Sequence, residues 1–125
     1  MYELTVDTHF DAAHCLKGYQ GDCARIHGHT WRVSVTVAAK ALGNLGLSVD
    51  FKDIAAVLDE VVSGFDHRTL NDLKEFAYVN PTAENIARLL FDTLSEKLND
   101  ENAHVVSVTV GEGDRSRVTY KAGCQ

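Results

Sequence analysis

The stretch "CARIHGHTW", Cys23 to Trp31, gathers a thiol and two imidazoles in a chain that holds three cysteines and six histidines. Such a set suits a structural zinc clamp, a nucleophile with its base, or a catalytic metal with a thiol beside it. His27 and His29 are two residues apart, so on a strand their side chains point to the same side, and Gly28 leaves the opposite side uncrowded. That is metal-ligand geometry. His14 closes an earlier alternating stretch and joins them if the two strands pair, because facing residues on adjacent strands lie about 5 Å apart. Three protein ligands plus a water is the catalytic arrangement, whereas a structural zinc site closes with four. Cys23 is the candidate fourth ligand, and the run Ala24, Arg25 and Ile26 decides whether it reaches. The favoured reading puts Cys23 beside the metal, where a cation would lower its pKa and make a thiolate base. His9 and His104 read as ordinary strand histidines, and Cys15 and Cys124 gain no role from their spacing.

The elements that must position these groups are legible as two strands, two helices and two strands. "YELTVDTHFDAAH" alternates, with Phe10, Ala12 and His14 on one face. "HTWRVSVTVAA" alternates more strongly, with Trp31, Val33, Val35 and Val37 on one side. Asp50 is placed to cap a helix carrying Phe51, Ile54, Val57, Leu58, Val61 and Val62 at helical spacing, with Gly64 as its stop. A second helix opens at "NPTAEN", with Pro81 expected in its first turn, and buries Ile86, Leu89, Leu90, Phe91, Leu94 and Leu98. A closing hairpin turns around Gly111, Gly113 and Asp114. The expected fold is α+β: a four-stranded antiparallel sheet with both helices on its apolar face.

Composition bounds the function. A chain of 125 residues, 45% hydrophobic and 24% charged, fits one globular domain over residues 1–125 and buries enough surface to fold without a metal or disulfide. A formal net charge of -6 argues against a nucleic-acid or membrane-surface partner, which would call for a basic patch. There is no apolar run approaching the roughly 18 residues of a span, and no basic-then-apolar leader, so a cytoplasmic location is expected. The odd cysteine count fits reduced thiols.

Six ordered segments then carry a resemblance: "FDAAH", "CARIHGH", "LSVDFKDI", "FDHRTLND", "PTAENIA", and "VTVGEG" with "VTYKA". In this order the chain resembles the 6-pyruvoyltetrahydropterin synthase and 6-carboxytetrahydropterin synthase family, over nearly its whole length. The C-x-x-x-H-G-H spacing is most like the bacterial 6-carboxytetrahydropterin synthase branch. The resemblance implies a tunnelling-type ββααββ fold whose sheets assemble into a barrel, as a trimer or hexamer with active sites where subunits meet. It also implies that His14, His27 and His29 are ligands of a zinc cofactor, that Cys23 is the catalytic thiol, and that Asp66 and His67 are a second proton-transfer pair. Glu112 would hold the pterin ring, with Thr82 and Glu84 near the same pocket. On residue type alone, Asp66 and His67 read as a polar turn, Glu112 as a hairpin carboxylate, and Thr82 and Glu84 as an ordinary helix start.

The implied reaction converts 7,8-dihydroneopterin triphosphate to 6-carboxy-5,6,7,8-tetrahydropterin, releasing acetaldehyde and triphosphate, in 7-deazapurine biosynthesis of the queuosine type. Those residue types suit it. Zinc is a Lewis acid for side-chain oxygens, a thiolate and an imidazole move protons near neutral pH, and a carboxylate accepts two hydrogen bonds from an amino-pyrimidinone edge. Alternatives are triphosphate elimination to 6-pyruvoyltetrahydropterin, side-chain cleavage of a related pterin, and a non-catalytic pterin- or purine-binding module. An unrelated zinc hydrolase would leave the ordered motifs unexplained. Gly113 stands where the family commonly has threonine after the pocket glutamate. Lys17 and Arg25 are candidate triphosphate contacts.

Overall fold

The computed structural model describes residues 1–123. Cys124 lies outside them. Strand β1 (Tyr2–His14) and strand β2 (His27–Ala39) pair antiparallel without a slip, from Tyr2 opposite Ala39 to His14 opposite His27. Helix α1 (Phe51–Ser63) follows, then a two-residue strand β3 (Arg68–Thr69), helix α2 (Ala83–Leu98), and strands β4 (Ala103–Glu112) and β5 (Arg117–Lys121). The sheet order is β3-β1-β2-β4-β5.

Alternation along the strands produces the two faces. Phe10, Ala12, Trp31, Val33, Val35, Val108 and Val110 are buried with Ile54, Leu58 and Val62 of α1 and Ile86, Ala87, Leu90 and Leu94 of α2. Each large side chain taken fully out of water contributes about 1.5–3 kcal/mol, so these rows hold both helices on one face. The other face is polar and cross-linked by its own side chains. Thr5 meets Thr36 at 2.9 Å, Ser34 donates to Asp7 at 2.6 Å, and Thr109 meets Thr119 at 2.7 Å. No helix among the described residues is long and apolar enough to cross a membrane.

The helix limits follow capping chemistry. Asp50 accepts the Lys52 N–H at 2.8 Å and starts α1. Gly64 ends it, giving its N–H to the carbonyls of Val61 and Val62. The second start departs from expectation. Thr82 is the cap, accepting the Asn85 N–H at 3.1 Å, and Pro81 lies before it rather than in the first turn. A threonine oxygen can satisfy one of the helix's open N–H groups, so the cap falls on Thr82 and Pro81 is left to the loop, where its carbonyl is free for other work.

The sheet also departs from expectation, having five strands rather than four and one parallel pairing. β3 lies parallel to β1, Arg68 opposite Ala12 and Thr69 opposite Ala13. Its docking is driven from just outside the strand: the His67 N–H donates to the Asp11 carbonyl at 2.6 Å, and the Asp11 N–H donates to the Asp66 carboxylate at 2.9 Å. Two backbone groups on the open edge of β1 are thereby satisfied. His67 has φ +57°, a left-handed conformation that costs a non-glycine residue energy and is held by these contacts.

Leu58 is fully buried between α1 and the sheet. Leu58→Ala is expected to lower unfolding free energy by about 2–5 kcal/mol in urea titration. A loss under about 1 kcal/mol would contradict this packing.

Candidate active site

The paired ends of β1 and β2 carry three imidazoles on one face. His14 faces His27 across the ladder, and His29 follows two residues along β2. One nitrogen from each lies within 4.8 Å of the other two. Ring centroids are 4.6 Å apart for His14 and His27, 5.2 Å for His14 and His29, and 4.8 Å for His27 and His29.

Hydrogen bonds orient two of the rings. The His14 Nδ1–H donates to the Pro81 carbonyl at 2.7 Å, and the His27 Nδ1–H donates to the Arg25 carbonyl at 2.7 Å. Each bond leaves Nε2 with a bare lone pair, the arrangement in which histidine binds a metal. His14 is 1% exposed, and its Nε2 has no partner; the buried Nε2 of His29 has none either. Two unsatisfied buried nitrogens side by side are costly unless something fills the space between them. The nearest carboxylate oxygen, on Glu112, stands 3.6 Å from His29 Nε2, too long for a hydrogen bond but close enough to matter electrostatically. The site therefore fits a divalent cation of the kind that imidazoles select, zinc among them.

Burial also sets the protonation state of these rings. It lowers the pKa of His14, against the pull of the Pro81 carbonyl, and lowers that of His29, against the Glu112 charge. Both shifts favour the neutral ring, the form that ligation requires. Trp31 walls the cluster, its ring 4.8 Å from His14 and 5.3 Å from His29. The indole N–H is satisfied by the Ala12 carbonyl at 3.2 Å.

A second group lies at the edge of β1. Asp66 and His67 are paired at 2.9 Å, and Asp11 completes a set of three with them. The Asp11 N–H and the His67 ring both bond to the Asp66 carboxylate and lower its pKa, and that carboxylate in turn raises the pKa of His67. His67 is exposed and opens on a cleft of about 580 Å³ lined also by Asp11, Gly28, His29 and Thr30. A Cβ on Gly28 would meet only the Ala12 carbonyl, at 3.9 Å, so the space beside it belongs to the cleft.

Cys23 is half-buried in the single turn Asp22–Ala24 and is not part of the three-imidazole group. Glu112 ends β4 opposite Trp31 and shares a hollow of about 250 Å³ with Glu84 and Arg117. The Thr82 oxygen is occupied in capping α2. Lys17 and Arg25 are exposed, and Arg25 holds His27 through its backbone carbonyl. Sequence reasoning missed Asp11 and the Pro81 carbonyl. Asp11 lies only three residues before His14 in "FDAAH", but alternation assigns it to the opposite face. A backbone carbonyl leaves no residue-type signal at all.

The pair contributes fully to stability between the ordinary values, pH 3.8 and 6.5. Its contribution is lost as pH falls through the lowered pKa of Asp66, or rises through the raised pKa of His67. NMR titration is expected to place the His67 midpoint above 6.5. Asp66→Asn should remove that elevation; an unchanged midpoint would mean that another group holds the proton.

The family model of 6-pyruvoyl tetrahydropterin synthase matches residues 3–123. The 6-carboxy-5,6,7,8-tetrahydropterin synthase of Bacillus subtilis (strain 168) is 35% identical over 128 residues, covering 96% of this chain and 85% of that protein. The dihydroneopterin monophosphate aldolase of Pyrococcus furiosus is 36% identical over 89 residues, 71% of each chain. The solved structure of Caenorhabditis elegans 6-pyruvoyl tetrahydropterin synthase has a TM-score of 0.86, covers 98% of this chain and 96% of that one, and is 24% identical. That last likeness concerns the α+β fold alone.

Proposed function

The chain belongs to the 6-pyruvoyl tetrahydropterin synthase family, enzymes of pterin metabolism with lyase-type chemistry, and from that premise we propose that it is a zinc-dependent 6-carboxytetrahydropterin synthase. It would convert 7,8-dihydroneopterin triphosphate and one water to 6-carboxy-5,6,7,8-tetrahydropterin, releasing acetaldehyde and triphosphate, to supply 7-deazapurine synthesis of the queuosine type. The observation that carries the reading is the pair of unpartnered buried nitrogens, His14 Nε2 and His29 Nε2, in a three-imidazole group.

His14, His27 and His29 would hold the ion. Bound zinc would supply a Lewis acid for the oxygens of the substrate side chain. Cys23 removes one proton from that side chain as a thiolate. Its place outside the imidazole group supports a base beside the metal rather than a fourth ligand. His67 serves a second proton transfer. Asp66 favours its protonated form, so it is better poised to return a proton than to take one. Glu112 accepts paired hydrogen bonds from the amino-pyrimidinone edge of the pterin, with Glu84 beside it in the same hollow. Thr82 fixes the start of the helix that carries Glu84.

Glu112 stands 3.6 Å from His29 Nε2, so the carboxylate that would hold the pterin adjoins the imidazole cluster. The protein would act as a trimer or hexamer in which a second copy completes each site, as the family resemblance implies. Cytoplasmic action on a soluble pterin triphosphate accords with the absence, among the described residues, of a helix able to span a membrane. The similarity to the Pyrococcus furiosus aldolase favours a second reading, side-chain cleavage of a related pterin.

Product analysis with 7,8-dihydroneopterin triphosphate separates the readings. Zinc-loaded protein should give 6-carboxytetrahydropterin and acetaldehyde, activity should vanish with chelation, and Cys23→Ala should reduce kcat by about 10²–10⁴. Zinc content should drop in His14→Ala. A pyruvoyl product, cleavage only of a related pterin, or zinc binding without turnover would overturn the carboxy-synthase reading.

A further inference from the structure

His14 is the last residue of β1, yet strand-like hydrogen bonding continues beyond it. The Asn71 side-chain oxygen accepts the Cys15 N–H at 2.9 Å, and its amide donates back to the Cys15 carbonyl at 3.0 Å. Asn80 treats Lys17 in the same way, at 2.9 and 3.0 Å. Between them the Leu16 N–H turns the other way and donates to the Cys23 carbonyl at 2.8 Å. Residues 15 and 17 facing one side and 16 the other is the period-two alternation of a strand.

The two amides stand where a neighbouring strand would be. β3 pairs Thr69 with Ala13, so the same parallel register, two residues on, sets Asn71 against Cys15. A side-chain amide offers one acceptor and a donor side by side, as an opposed peptide group does. Asn80 is itself fixed: its carbonyl accepts the Thr82 N–H at 2.9 Å and the Asn85 side-chain amide at 2.9 Å. It immediately precedes Pro81, whose carbonyl holds His14. One short segment at the start of α2 therefore grips both an imidazole of the metal-type cluster and the chain leading to the thiol.

We propose that Asn71 and Asn80 are positioning residues for Cys23: a pair of amide clamps that hold residues 15–17 and, through Leu16, the turn that carries the thiol. The proposal rests on Cys23 being the reacting thiol. Neither asparagine touches that thiol, and both act through the backbone between. Removing either amide leaves a backbone N–H and a carbonyl without their partner and frees the Leu16 link to Cys23.

The test compares zinc-loaded wild type with Asn71→Ala and Asn80→Ala by three measurements: peptide-resolved alkylation of Cys23 by iodoacetamide, amide exchange at Leu16, and steady-state kinetics with the pterin triphosphate. Alkylation of Cys23 should quicken roughly threefold or more, and Leu16 exchange about tenfold. kcat should fall about tenfold while KM stays within about twofold, because a displaced base costs rate rather than affinity. Alkylation and exchange unchanged in both variants would overturn the clamp. Loosening with kcat unchanged would overturn the positioning role. If an alanine variant does not fold, Asn71→Asp and Asn80→Asp carry the test. Each keeps the shape and the acceptor but sets a carboxylate oxygen against a carbonyl, with the same expected directions. Absence of turnover in the wild type would overturn the proposed function, while alkylation and exchange still decide the clamp.

Discussion

The unslipped pairing of β1 with β2 is the constraint on which the rest depends. Side chains alternate along a strand, so moving β2 by one residue would send His27 and His29 to the polar face and break their alignment with His14. The same slip would expose Trp31, Val33 and Val35, which are all but absent from solvent. The imidazole cluster is therefore secured by the hydrophobic core. The residues with most to lose from a wrong register are buried valines and the tryptophan that walls the cluster, and their burial holds its geometry.

Histidines at two places in one small chain are driven in opposite directions. Burial favours the neutral forms of His14 and His29, and a carboxylate favours the protonated form of His67. Neither effect needs an unusual residue. The first follows from placing imidazoles at the end of a packed face, behind Trp31; the second follows from docking an Asp-His turn on an exposed edge. Asp66 serves both the edge and the imidazole, since one oxygen accepts the Asp11 N–H and the other meets His67. Fold and proton chemistry are joined in that one carboxylate.

Much of this was legible in the residues because it rests on short-range periodicity. Alternation through "FDAAH" and "HGHTW" and the strength of the two long strands suffice to bring three imidazoles to one face. Asp50 announces α1, and the helical spacing of Ile54, Leu58 and Val62 announces its buried side. What escaped depends on contacts distant in sequence. β3 is two residues long and pairs parallel, too short to show a period. Pro81 was expected inside the helix because proline suits a first turn, but the oxygen of Thr82 makes the better cap. The carbonyl that holds His14 and the amides that hold residues 15 and 17 act through groups with no characteristic spacing; only the folded chain brings residue 14 to 81 and 15 to 71.

Trp31 has a further consequence. The chain holds a single tryptophan, and it is fully buried with its ring edge-on to His14 and His29. Indole emission depends on the local electric field and on neighbouring groups that quench the excited state. A positive charge arriving among the imidazoles, as a proton or an ion, changes both at a distance of a few ångströms. The protein thus contains its own optical reporter, native and unlabelled, placed where the occupancy of the cluster can be followed in real time.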